Sequence, residues 1–186
     1  MDNLNFVNFK RKRDLGTILS DTIKFLSVEW KPFLFTVIKA ALIPIILAIG
    51  AIIYFFISYS SFFEGVTFLT DVANEFNFSD LILPFLFLTF SYLIAYALIT
   101  VTALSYIKSY ISNNGIVNFE EVNDFSKEKF WSFVGLFFLN GLMILFGALL
   151  CFFPAIYLGV VLSLSSCILV FQNKSVSDAI NDSFSL

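Results

Sequence analysis

Between residues 133 and 171 the chain carries no Asp, Glu, Lys or Arg, and its hydrophobic run is interrupted only by small or uncharged polar residues and by Pro154. Pro154 divides the stretch into 133–152 and 155–171. At 1.5 Å rise per residue these would make helices of about 30 Å and 25 Å, close to the hydrocarbon thickness of a bilayer. The pattern predicts a helical hairpin that crosses a membrane, turns tightly at Phe153–Pro154 and crosses back. A water-soluble hairpin of this length would be expected to keep a polar face, and this one has none.

Upstream, two further spans are predicted, at residues 33–60 and 81–107. The first holds a single charge, Lys39, and the second none. Pro32 favours a helix start before the first span, and Pro44 should kink it. A helix over 33–60 would be about 42 Å long, so Lys39 falls near the headgroups, where its ammonium can snorkel outward. An ionisable residue within a span is also a functional candidate by default. Trp30 is a second interfacial anchor.

Residues 14–29 have helical periodicity. Leu15, Ile18, Leu19, Thr22, Leu26 and Trp30 gather on one side, while Thr17, Ser20, Asp21, Lys24 and Ser27 gather mostly on the other. Such an amphipathic helix can lie in the membrane interface, or can cap the bundle by packing on its neighbours. Residues 61–80 read as a loop with four carboxylates and no basic residue. Their spacing matches no calcium loop, so a solvated acidic loop is expected.

In the second span Ser91, Ala95, Thr102 and Ser105 fall near one face, which suits close helix contact. Ser112-Asn113-Asn114-Gly115 is a turn signal. Asn118 then caps a mixed-charge surface helix over 119–130, with Glu121 placed as in a capping box. Within the hairpin, Ala155, Gly159 and Ser163 recur every fourth residue and Ser166 continues the face, a small-residue stripe that admits another backbone. Counting outward from the turn sets Gly147 opposite Gly159 and Asn140 opposite Ser166, with an interhelical hydrogen bond expected from Asn140.

Composition sharpens this into a class. Hydrophobic residues make up 59% of the 186 and charged residues 13%, against about 45–50% and 25% in soluble domains. The fold class expected is all-α integral membrane: about four transmembrane helices, an N-terminal amphipathic helix and a tight hairpin of the third and fourth. One membrane domain covers 1–186, with 1–31 before the first span and 172–186 as a tail.

The chain has no histidine, which removes the commonest metal ligand and general base. Cys151 and Cys167 are too far apart along the hairpin for a disulfide and read as small packing residues. Ser163, Ser165 and Ser166 have no base to activate them. No catalytic, metal or cofactor site is expected.

All eleven basic residues fall before the first span or at its edge, between the second and third, or after the fourth. The positive-inside rule then puts both termini in the cytoplasm, and the expected location is a bacterial cytoplasmic membrane. Ile18-Leu19-Ser20-Asp21-Thr22-Ile23 and Ala179-Ile180-Asn181-Asp182-Ser183-Phe184 have the same character, with Val122-Asn123-Asp124-Phe125 a poorer match. Two readings follow: the tail is the start of a third repeat cut short, or the likeness is chance in biased segments.

Segments 14–23, Pro154-Ala155-Ile156-Tyr157-Leu158 and 175–186 together resemble the membrane domain attached to some glycerophosphodiester phosphodiesterases. The resemblance covers most of the chain and implies six helices in a full domain. It carries no catalytic residue onto this sequence, and the hydrolytic barrel of those enzymes has no counterpart in these residues.

Three classes of function follow. The first is a non-enzymatic membrane module that meets lipid, with a protein partner or a second copy as further candidates and no nucleic acid. The second is a component of a small-solute transporter or channel, which would need ionisable groups or broken helices at mid-membrane. The third, an intramembrane lipid enzyme, would need convergent carboxylates or an activated serine, which the sequence does not offer.

Overall fold

A computed structural model describes residues 14–67, 79–150 and 152–185. Among them there are five helices and no strand: α1 (Leu15–Thr67), α2 (Ser79–Ser112), α3 (Phe119–Leu150), α4 (Phe152–Phe171) and α5 (Val176–Ser185). Four of them, α1 to α4, are long and apolar enough to cross a membrane. Large apolar side chains such as Phe35, Ile43, Phe56, Phe146 and Val160 stand exposed along these four helices. Apolar surface on this scale suits a hydrocarbon solvent, where it costs nothing to expose.

The helices are longer and fewer than the sequence pattern suggested. α1 is continuous for 53 residues, about 80 Å of helix axis. The segment at 14–29 is therefore not a separate helix, and neither Pro32 nor Pro44 ends α1. A proline removes one backbone donor and crowds the carbonyl four residues back, yet the surrounding apolar run keeps the helix intact. The surface helix at 119–130 and the third span likewise merge into α3. Residues 61–67, expected to open a loop, are still part of α1. The acidic residues of 68–78, the basic cluster Lys10–Arg13 and Cys151 lie outside the described residues.

The hairpin turn also moves. α3 runs to Leu150 and α4 starts at Phe152, so Phe153 and Pro154 belong to the first turn of α4. Pro154 suits that position, because a first-turn N–H has no helical acceptor to lose. The tail at 172–186 is not extended. Ser175 accepts from the Asp178 N–H and its hydroxyl donates to the Asp178 carboxylate, a side-chain N-cap that starts α5. Lys174 and Asp182 form an ion pair over the outer side of that helix.

The chain divides into two compact units, Met1–Ala40 with Ala97–Leu186, and Ala41–Tyr96. In the smaller unit α1 and α2 meet through aromatic pairs, Tyr54 with Phe87 at 6.4 Å and Phe55 with Phe85 at 6.5 Å between ring centres. Its fully buried positions are mostly small ones, among them Ala41 and Ala51.

The larger unit holds two apolar clusters. In the first, Ala97 and Val101 of α2 meet Phe133 and Leu136 of α3, Leu169 of α4 and Ala179 of α5. α5 docks there with Val176, Ala179, Ile180 and Ser183, spaced for one helical face. In the second, Phe25 of α1 sits against Tyr106 and Tyr110 of α2 and Val122 of α3.

Candidate functional site

The turn between α2 and α3 sets the geometry of the larger unit's polar face. Asn114 and Gly115 take φ of 50° and 96°, and the Gly115 N–H reaches back to the Tyr110 carbonyl at 2.9 Å. That left-handed ending closes α2, a conformation that Asn and Gly adopt most readily. Asn118 then caps α3, its side-chain oxygen accepting from the N–H of Glu120 at 3.0 Å. Glu121 does not turn back on Asn118 as a capping box would. Ser109 donates to its carboxylate at 2.9 Å, Asn113 donates to it at 3.0 Å, and the Asn118 N–H is taken by Ser109 at 3.1 Å. Glu121 is thus committed to holding the turn, and its neighbours Glu120 and Asn123 stay outside this knot.

α1 is aligned against this turn by a stripe that the aliphatic periodicity did not reveal. Phe25 packs edge-on to Tyr110 at 5.0 Å and Phe33 edge-on to Tyr106 at 5.3 Å. Between them Tyr106 donates to the Glu29 carboxylate at 2.8 Å. Phe25, Glu29 and Phe33 are four residues apart, so one face of α1 is fastened to α2. The aliphatic face named from the sequence, including Ile18, Leu19, Leu26 and Trp30, stays exposed. Lys31 lies over the Trp30 ring at 5.5 Å.

One turn further along α1 is a partly open cavity of about 580 Å³ within the larger unit. Lys39 and Glu120 stand exposed at its edge with Asn123, and neither charge has an ion-pair partner among the described residues. Phe35, 69% exposed, forms an apolar lip, while Val122 is buried in the wall. Thr102 also lines the wall, only 2% exposed, and its hydroxyl has no hydrogen-bond partner. The hydroxyls of Thr36 and Ser126, which line the same cavity, are satisfied by carbonyls one turn back in their own helices. Ala40 adds a backbone acceptor. Pro44 has no N–H, so the Ala40 carbonyl lacks its helical donor.

Lys39 thus lines a cavity beside an unpaired carboxylate, a setting that the sequence pattern did not disclose. In the sequence, Thr102 counts as a small residue on one face of the second span, Asn123 as part of a weak repeat, and Glu120 as one charge of the mixed-charge helix over 119–130. What could have drawn them together is the cap at Asn118, which fixes which side of α3 faces α1.

In the hairpin, Asn140 donates to Ser165 at 3.1 Å and to the Leu162 carbonyl at 3.4 Å. The partner is Ser165 rather than Ser166, although both serines are buried. Gly147 faces Ala155 and Leu158: a Cβ there would lie 2.8 Å from Leu158 Cδ1 and 3.4 Å from the Ala155 backbone. Gly159 does not oppose Gly147, since a Cβ at Gly159 would meet nothing within 4 Å. Ser163 is exposed and turns its hydroxyl to the Val160 carbonyl. The contact face of α4 runs through Ala155, Leu158, Leu162, Ser165 and Leu169, a steeper seam than the small-residue stripe. Because α4 starts at Phe152 and not at 155, pairing counted from Pro154 is shifted.

Lys108 has a role that the sequence pattern had not assigned. It donates to the Val170 carbonyl at 3.1 Å and lies 3.8 Å over the Phe125 ring, capping the end of α4 from α2. Among the described residues no group of three or more His, Cys, Asp and Glu could hold a metal ion. Cys167 is a free thiol on an exposed position. Comparison with protein families, curated proteins and solved structures finds no match.

Proposed function

We propose that the protein is a non-enzymatic multi-pass module of a bacterial cytoplasmic membrane, with both termini cytoplasmic, whose task is to bind membrane lipid. The observation that carries this reading is the cavity beside α1. It joins an apolar lip at Phe35 to unpaired polar groups at Lys39, Glu120 and Thr102. A site half apolar and half charged, on a helix whose flank is exposed apolar surface, suits a molecule with a polar head and a hydrocarbon tail. No cofactor and no nucleic acid enter this reading. The test is purification in mild detergent followed by native mass spectrometry. Retained lipid that is lost when Lys39 is changed to Gln supports it, and a protein that retains no lipid and gains no thermal stability from added lipid overturns it.

A component of a small-solute transporter or channel is a second reading, favoured by one observation. Pro44 opens the α1 hydrogen-bond ladder at Ala40, next to Lys39 and in the wall of the same cavity. Interrupted helices with ionisable neighbours carry substrate sites in transporters. Altered solute permeability of proteoliposomes on Lys39→Ala would favour this reading.

A further inference from the structure

We propose that the cavity beside α1 selects a zwitterionic phospholipid whose head carries a phosphate and a primary ammonium, an inference that rests on the lipid-binding reading above. The charges at the mouth decide the class. Lys39 and Glu120 line one cavity, and among the described residues neither forms an ion pair, with the other or elsewhere. An anionic head would satisfy Lys39 and leave the Glu120 carboxylate facing a like charge. A purely cationic head would do the reverse. A head with both charges satisfies both residues and leaves no net charge in the site, and discrimination of this kind comes mainly from the charge left unpaired in the wrong complex.

Donor and acceptor counts narrow the class further. Lys39 and the Asn123 amide can donate to phosphate oxygens. The Thr102 hydroxyl, 2% exposed and without a partner, can donate to a phosphate or ester oxygen that enters deeper. On the other side the unfilled acceptors are the Glu120 carboxylate and the Ala40 carbonyl freed by Pro44. Both call for N–H donors, which a primary ammonium has and a trimethylammonium lacks. The volume of about 580 Å³ is within the roughly 300–1,000 Å³ of small-molecule sites. It suits a head with its glycerol region, and the exposed side chains of Leu34, Phe35 and Ile38 offer a path for the acyl chains.

The test uses the full-length protein in detergent micelles and measures binding of defined lipids by native mass spectrometry. The probes are dimyristoyl phosphatidylethanolamine, phosphatidylglycerol and phosphatidylcholine, with water-soluble O-phosphoethanolamine as a competitor. The expected result is phosphatidylethanolamine bound about tenfold more tightly than the other two, as one charge-assisted hydrogen bond would give. Glu120→Gln should remove its advantage over phosphatidylglycerol, and Lys39→Gln should weaken it about tenfold. Thr102→Val, of the same shape, should weaken binding with helical content unchanged by circular dichroism.

Equal binding of the three lipids, or an unchanged preference in both Lys39→Gln and Glu120→Gln, would overturn the headgroup assignment and leave the lipid-binding reading standing. Competition by O-phosphoethanolamine at concentrations equal to the lipid would overturn the lipid source and make the free head the ligand. Saturable binding of none of the three would overturn both readings together.

Discussion

Tyr106 and Glu29 are 77 residues apart in sequence, and the tyrosine donates to the carboxylate at 2.8 Å. The bond joins α1 to α2 close to the cavity lined by Lys39 and Glu120, and aromatic rings flank it on both sides. Tyr106 itself is fully buried. Tyr106→Phe would leave the Glu29 carboxylate without that donor, at a cost of about 1.5–3 kcal/mol for a hydrogen bond to a charged group. Thermal unfolding of the variant in detergent should show the loss. Glu29→Gln, which keeps an acceptor for the tyrosine, should cost less. Equal losses in the two variants would mean that packing, and not the hydrogen bond, fastens α1.

Asn140 makes two bonds across the hairpin with its amide N–H groups, while its side-chain oxygen is buried without a partner. The favourable and unfavourable halves of the side chain therefore oppose each other. Asn140→Ala should destabilise the hairpin by only about 0.6–2 kcal/mol, the range of interhelical polar contacts in membranes. Ser165→Ala should lose less, because the Leu162 carbonyl still accepts from Asn140. Unfolding by denaturant titration in mixed micelles would rank the two, and a larger loss at Ser165 would contradict this assignment of the bonds.

The two glycines singled out in the hairpin should behave differently. At Gly147 an added methyl meets the movable tip of Leu158 before it meets the Ala155 backbone, so Gly147→Ala should be mild. Gly147→Val has no such room and should cost about 1–3 kcal/mol by overpacking. Gly159→Ala, with open space around the new methyl, should be neutral or slightly stabilising through helix propensity. Thermal stability of the three purified variants checks the order.

The contrast between these glycines bears on how much of the fold the sequence disclosed. Apolar length was enough to predict four helices able to span a membrane, because that property is a sum over many residues and survives local error. The seam between α3 and α4 depends on register, and an error of two residues in the turn turned the expected Gly159 face away from Gly147. Helix ends were missed for a related reason. Pro32 and Pro44 weaken a helix locally, but breaking one also requires something else to take the freed carbonyls, and no turn signal accompanies either proline. The cavity was not legible because Lys39, Thr102 and Glu120 belong to three helices, which are brought together by contacts far from them in sequence: the Asn118 cap, the Ser109–Glu121 and Tyr106–Glu29 bonds, and the packing of Phe25 and Phe33 on Tyr110 and Tyr106. Seen along the chain, Lys39 was a candidate with no companion in view, and Thr102 and Glu120 were ordinary small-residue and surface positions.

Lys108 caps the Val170 carbonyl, which sets the end of α2 level with the end of α4. The same lysine lies over Phe125 near the start of α3. These contacts require the α2–α3 turn and α5 to lie on one side of the membrane that the helices cross, whichever side that is. In a background with Cys151 and Cys167 changed to Ala, single cysteines at Asn114 and Ser185 should therefore react with an impermeant maleimide from the same side, and one at Asn77 from the opposite side. With the orientation proposed above, in which the basic residues face the cytoplasm, intact cells should label only Asn77→Cys, and inverted vesicles only Asn114→Cys and Ser185→Cys. Labelling of Ser185→Cys and Asn114→Cys from opposite sides would mean that α3 and α4 do not form a full crossing pair. Lys108→Met distinguishes the cap from the crossing itself. It should lower stability by about 1.5–3 kcal/mol through the lost hydrogen bond to a charged group while leaving the labelling pattern unchanged, because the number of crossings is set by apolar length and not by this contact.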